Sequence, residues 1–184
     1  MTYSEISQAV ARLVKKYDER DPFLLCRDMD IKLLFQAMGK EPDAVKGFFL
    51  EYRRIRTIIV NSDLPPIIQR IIVAHEICHA EYYRKAGIHA FHEMALFDQT
   101  SEFEKEANLF AAKLLLEDED VLDALNRDIT FFSAAAALLV PPELLDFKFR
   151  IMKWKGFKLI EPPINARRNF MKNMEIPENG EYCE

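Results

Sequence analysis

The chain has 184 residues, 49% of them apolar, which is enough to bury one ordinary core and too few for two large domains. Its 25 Lys and Arg against 30 Asp and Glu leave a formal charge of -5 at pH 7, which argues against a protein built to coat nucleic acid. Five Gly and 14 Phe argue against fibrous and disordered classes.

From the N-terminus, Ile6, Val10, Leu13, Val14 and Tyr17 recur at helical spacing, with Ser4 as a candidate cap. Asp21-Pro22 opens a second, short helix through Arg27, and Ile31 to Phe35 reads as a strand. Lys40 to Ala44 is a loop. Gly47 to Tyr52 and Arg56 to Asn61 are β-rich runs on either side of Arg53-Arg54, the pattern of a hairpin. Asn61-Ser62-Asp63 supplies cap candidates for a long helix from about Pro65 to Lys85, which Gly87 ends. Thr100-Ser101 begins another helix, with Phe103, Ala107, Phe110 and Leu114 on one face. The acidic run Glu117 to Asp120 reads as the solvated start of a further helix. Ile129 to Val140, the break Pro141-Pro142, and Glu143 to Trp154 form a helix pair.

These elements make an α+β fold, mainly helical, with a small three-stranded, mostly antiparallel sheet and a C-terminal helical hairpin. The expected division is a core over residues 1–127, the hairpin over 128–160, and a flexible polar tail over 161–184. The cysteines Cys26, Cys78 and Cys183 are too few and too scattered for a disulfide framework. The N-terminus lacks the apolar core of a signal peptide, and the longest apolar stretch, Phe131 to Val140, falls short of the ~20 residues that span a bilayer. A cytoplasmic location is expected.

The chemistry is concentrated in His75-Glu76-Ile77-Cys78-His79. Two histidines at i and i+4 stand one above the other on a helix, as two imidazoles must to share one Zn²⁺. Glu76 lies about 100° around the helix, within reach of a metal-bound water but badly placed to be a ligand on that side. A catalytic zinc needs a third protein ligand from a separate element. The helix after Ser101 offers Glu102, Glu104 and Glu106; Glu102 and Glu106 share an edge with Lys113, whereas Glu104 shares a face with Asn108, Ala111 and Leu115. Glu104 is therefore the better inward carboxylate, and Asn108 could orient a ligand histidine by a hydrogen bond. Ser101-Glu102-Phe103-Glu104 also matches a capping box, in which Glu104 would only satisfy an amide at the helix start.

With these residues in place, the chain resembles the ImmA/IrrE family of metallo-endopeptidases. The resemblance rests on Asn61 through His79 and on Glu104-Lys105-Glu106-Ala107-Asn108-Leu109-Phe110-Ala111-Ala112, extends upstream to Arg20-Asp21-Pro22-Phe23, and covers roughly residues 1–116. It implies a zincin-like core with a three-stranded sheet, zinc held by His75, His79 and Glu104, Glu76 as general base, and a helix-turn-helix repressor of a mobile element or stress response as substrate. Two positions depart from the family pattern: Cys78 stands where Gly is frequent, and Tyr83 where a further His is frequent. Cys78 reads as a small buried hydrophobe.

His89, His92 and Tyr82 are candidate oxyanion donors, although a surface role is the commoner case for such histidines. Phe132 to Trp154 has the order of a helix-turn-helix, with Lys148, Arg150, Lys153, Lys155 and Lys158 after the break, but Pro141-Pro142 occupies the turn. A hairpin packed on the core or a partner is the favoured reading, so nucleic acid is not an expected partner and neither is a membrane. The expected function is a zinc endopeptidase that could hold substrate backbone along the sheet edge near Gly47 to Tyr52. The rival is a non-catalytic, zinc-stabilised regulatory or DNA-binding protein.

Overall fold

A computed structural model describes residues 1–83, 101–126 and 130–160. The first helix, α1 (Tyr3–Tyr17), is capped by Thr2 rather than Ser4. Thr2 stands three residues before Glu5, so its hydroxyl accepts from the Glu5 amide while the Glu5 carboxylate accepts from the Thr2 amide at 2.7 Å. Ser4 has no acidic residue at that spacing and lies inside the first turn. In α2 (Pro22–Asp28), Asp21 caps the Phe23 and Leu24 amides as its sequence position implies.

The sheet comprises β1 (Ile31–Gln36), β2 (Gly47–Tyr52) and β3 (Ile55–Asn61), in the order β1-β3-β2. The β2-β3 hairpin turns on Arg53 and Arg54, at φ 49° and 66°, the doubly left-handed turn that matches strand twist. The sheet is mixed, because β1 pairs with β3 in parallel. The reason lies in β3: Ile58, Ile59 and Val60 are consecutive and all buried, so the strand needs cover on both faces and neighbours on both edges. It therefore takes the centre, and β1 docks on its open edge.

The segment between β1 and β2 is held by the residues that the sequence offered as helix caps. Asn61 donates from Nδ2 to the Gly39 and Val45 carbonyls at 2.8 and 3.0 Å and accepts the Met38 amide on Oδ1, while Asp63 accepts the Gly39 amide. Buried polar groups must be satisfied, and these side chains are committed to the loop's amides and carbonyls instead of the helix start. Helix α3 (Pro66–Cys78) accordingly begins at Pro65-Pro66 with no side-chain cap. Gly47 brings β2 against α3: a Cβ there would meet Ile72 Cγ2 at 2.5 Å and the Ile59 carbonyl at 2.9 Å, so only glycine fits.

After Cys78 the chain does not continue as an α-helix. Residues His79–Tyr83 form a π-turn, and the expected end at Lys85 and Gly87 lies outside the described residues. Helix α4 (Glu102–Leu115) packs on α3, with Asn108 against His75, and its Ala107, Ala111 and Ala112 are wholly buried. Then come α5 (Asp118–Leu125), α6 (Phe131–Ala137) and α7 (Pro142–Trp154).

The acidic start of α5 is not merely solvated. Asp118 accepts from Lys113 at 3.2 Å, from Lys148 at 2.5 Å and from Lys155, tying α5 to the end of α4 and to α7. Burial alone would raise its carboxyl, but the Lys148 and Lys155 bonds override this and hold it far below the usual carboxylate range. Lys148 is wholly buried and also donates to the Leu116 carbonyl, and burial pulls its ammonium down to about 8. Helix α7 packs on both α4 and α6 and is buried along most of its length, from Glu143 through Met152 apart from Arg150. Arg150 pairs with Asp146 at 2.6 Å. The basic residues that suggested a groove-reading helix are thus engaged internally at Lys148, Lys155 and Arg150. No helix among the described residues is long and apolar enough to cross a membrane.

Candidate metal centre

Helix α3 carries His75 and Glu76 into the core and the π-turn that follows it carries His79, and all three are wholly buried. The face that holds them is apolar on either side, with Ile71, Ile72, Val73 and Ala74 before and Ile77 and Cys78 between, so the imidazoles are desolvated by the core itself. His75 Nε2 and His79 Nε2 are 3.0 Å apart. From α4, Glu104 places Oε2 at 3.0 Å from His75 Nε2 and Oε1 at 3.5 Å from His79 Nε2. Among the described residues these three form a cluster whose ligand atoms all lie within 4.8 Å of one another.

The donor set fits a zinc ion. Bonds of about 2.0–2.1 Å at tetrahedral angles put neighbouring donor atoms about 3.3 Å apart, and the observed separations of 3.0, 3.0 and 3.5 Å bracket that value. Two imidazoles and one carboxylate leave the fourth tetrahedral position to water or substrate, as a catalytic rather than a structural site requires.

Asn108, one turn beyond Glu104 and also buried, places Oδ1 at 3.0 Å from His75 Nδ1. With the proton on Nδ1 donated to Asn108, the Nε2 lone pair is directed at the cluster. Burial lowers the His79 pKa below its ordinary value, although the Glu104 side chain works the other way; the net direction favours the neutral ring that a metal ligand requires.

The capping-box alternative for Glu104 is not realised. Ser101 stands at the N-cap of α4 with no side-chain hydrogen bond to the helix, and the Glu104 carboxylate is turned to the two histidines. Glu102 is exposed and faces Lys105, as its helical angle implies.

Glu106 differs from its reading. It is buried, its carboxylate accepts the Tyr83 hydroxyl, and its other oxygen faces the amino group of Met1. The signal was present: Leu109 and Phe110, three and four residues on, are apolar and share its side of α4.

Tyr82 does not point at the cluster. Its ring lies against Phe110, with centroids 5.9 Å apart, and the Arg12 side chain acts on its hydroxyl. The π-turn is the cause. In a continuous α-helix Tyr82 falls near the His75 direction, but the wider turn rotates it away, while Tyr83, four residues after His79, stays on the His79 side, with ring centroids 5.7 Å apart. Cys78 is wholly buried, and burial, with Glu106 and Glu104 nearby, pushes its thiol well up, so it packs as a small hydrophobe. His89 and His92 lie outside the described residues.

Comparison with known proteins agrees with this geometry. A family model of a peptidase class, described as the IrrE N-terminal-like domain, matches residues 26–150. The match takes in all three strands, both helices of the cluster, and most of α7. A protein of Bacillus phage phi105, described as "Uncharacterized immunity region protein 2", is 32% identical over 146 residues, which is 79% of this chain and 90% of that protein.

Proposed function

The chain belongs to the peptidase family of the IrrE N-terminal-like domain, and on that premise we propose that it is a zinc-dependent endopeptidase acting on a helix-turn-helix transcriptional repressor. The observation that carries the zinc reading is the convergence of His75, His79 and Glu104 from two helices, with ligand atoms within 4.8 Å. In this reading those three residues hold Zn²⁺. Bound zinc supplies a Lewis acid that makes water nucleophilic near neutral pH and polarises the scissile carbonyl.

The remaining work falls to the protein. Glu76, buried one residue beyond His75, takes the proton of the attacking water and delivers it to the leaving amine. Asn108 keeps His75 in the ligating tautomer. Strand β2 is an edge of the sheet, and Gly47 seats it directly on α3, so an extended substrate added along Gly47–Tyr52 runs beside the helix that carries His75. The buried walls of α3 and α4 exclude bulk water from the reacting centre.

The repressor as substrate is supported by the relative's place in a phage immunity region. A linker between repressor domains is the expected cleavage point, because it can adopt the extended form that strand addition needs. The test has two arms. Metal analysis should find one zinc in the wild type and a loss in His75→Ala, His79→Ala and Glu104→Ala. Incubation of the zinc-loaded protein with the repressor encoded beside its gene should yield two fragments by mass spectrometry. Stoichiometric binding of an uncut repressor would favour a non-catalytic regulator.

A further inference from the structure

Helix α4 reaches the two histidines in different ways. His75 is held directly, by Asn108 at 3.0 Å. His79 starts the π-turn, and the residue that packs on its ring from the far end of that turn is Tyr83. Tyr83 is fixed twice by α4: its hydroxyl donates to Glu106, and Phe103 meets its ring edge-on with centroids 4.9 Å apart.

A π-turn is a local departure from the α-helix, and it persists only where its surroundings hold it. Here the hold is a buried carboxylate on a buried phenol. Because the Tyr83 hydroxyl is committed to Glu106, it is not a donor toward substrate, and the pair acts on the site only through His79.

We propose that Glu106 and Tyr83 form a positioning pair that locks the π-turn and thereby sets the His79 ring in its ligating orientation. The proposal rests on the zinc reading given above. Neither residue is a ligand or a catalytic group. Glu106, Glu104 and Asn108 thus give α4 three separate duties at successive even positions: Glu104 ligates, Asn108 orients one histidine directly, and Glu106 orients the other through Tyr83.

The test is zinc affinity by chelator competition, together with the visible absorption of the cobalt-substituted protein, for wild type, Tyr83→Phe, Glu106→Ala and Glu106→Gln. Tyr83→Phe and Glu106→Ala should each weaken zinc by about tenfold or more and alter the cobalt band, which reports ligand geometry. Glu106→Gln, which keeps an oxygen acceptor for the phenol, should recover most of the affinity. The double variant Tyr83→Phe/Glu106→Ala should be no weaker than the worse single, because both break one link. If Glu106→Ala does not fold, Tyr83→Phe decides, since it preserves the ring and its packing. Wild-type affinity and an unchanged cobalt band in a folded Tyr83→Phe would overturn the pair while leaving the zinc site standing. A wild type that binds no zinc overturns both.

Discussion

Asn108 Oδ1 and His75 Nδ1 stand 3.0 Å apart on the side of the imidazole away from Glu104, so one residue of α4 orients the ring that another residue of the same helix meets. Glu104 and Asn108 are one helical turn apart, so both reach the same imidazole from one face of α4. Asn108→Ala should lower zinc affinity by about 10–100-fold with little change in secondary structure, and Asn108→Asp, which keeps the acceptor, should retain most of it. Chelator competition measures both. Equal affinities for Ala and wild type would remove Asn108 from the site.

Glu76→Gln should keep the fold and one equivalent of zinc while reducing peptide hydrolysis by about 10²–10⁴-fold, because an amide cannot take the water's proton. The measurement is fragment formation against time, with metal content determined on the same preparation. Hydrolysis near the wild-type rate would assign the base to another residue.

Asp118 neutralises a lysine that has no exposed surface, so its loss should leave Lys148 as a buried, uncompensated charge. Asp118→Asn should cost about 3 kcal/mol in urea unfolding. Adding Lys148→Met should recover much of that loss, since an apolar side chain suits the site that the ion pair vacates. A double variant as unstable as the single would show that the hub is held by Lys113 and Lys155 instead.

Glu143 introduces a pH dependence of the opposite sign to an ion-paired carboxylate. Burial pushes its carboxyl up from 4.5 to about 7, with Asp146 adding to the rise, and its Oε2 is buried without a hydrogen bond. Between pH 4.5 and 7 the folded chain therefore holds the proton that the unfolded chain has released, and stability falls as pH rises through that window. The loss is on the order of 1 kcal/mol after allowing for solvent screening. Glu143→Gln should remove the fall, so that the variant matches wild type near pH 4.5 and exceeds it at pH 8 in urea unfolding. A pH profile parallel to wild type would show that Glu143 is ionised in the fold without penalty.

The local elements and the convergence of His75, His79 and Glu104 were legible in the chain because they depend on spacing. His75 and His79 share a face by helical geometry alone, the capping Asp21-Pro22 and the hairpin around Arg53-Arg54 are written in adjacent residues, and helical angles on α4 separate Glu104 from Glu102. The sense of the β1-β3 pairing, the burial of Glu106, the turning away of Tyr82 and the union of Asp118 with Lys148 were not legible. Each joins residues that are distant in sequence or depends on a departure from ideal helix geometry: Glu106 meets Tyr83 across two helices, and Asp118 meets Lys148 thirty residues away. Spacing reports which side chains share a face. Which partner that face meets is decided only when the core closes and every buried polar group must find a hydrogen bond.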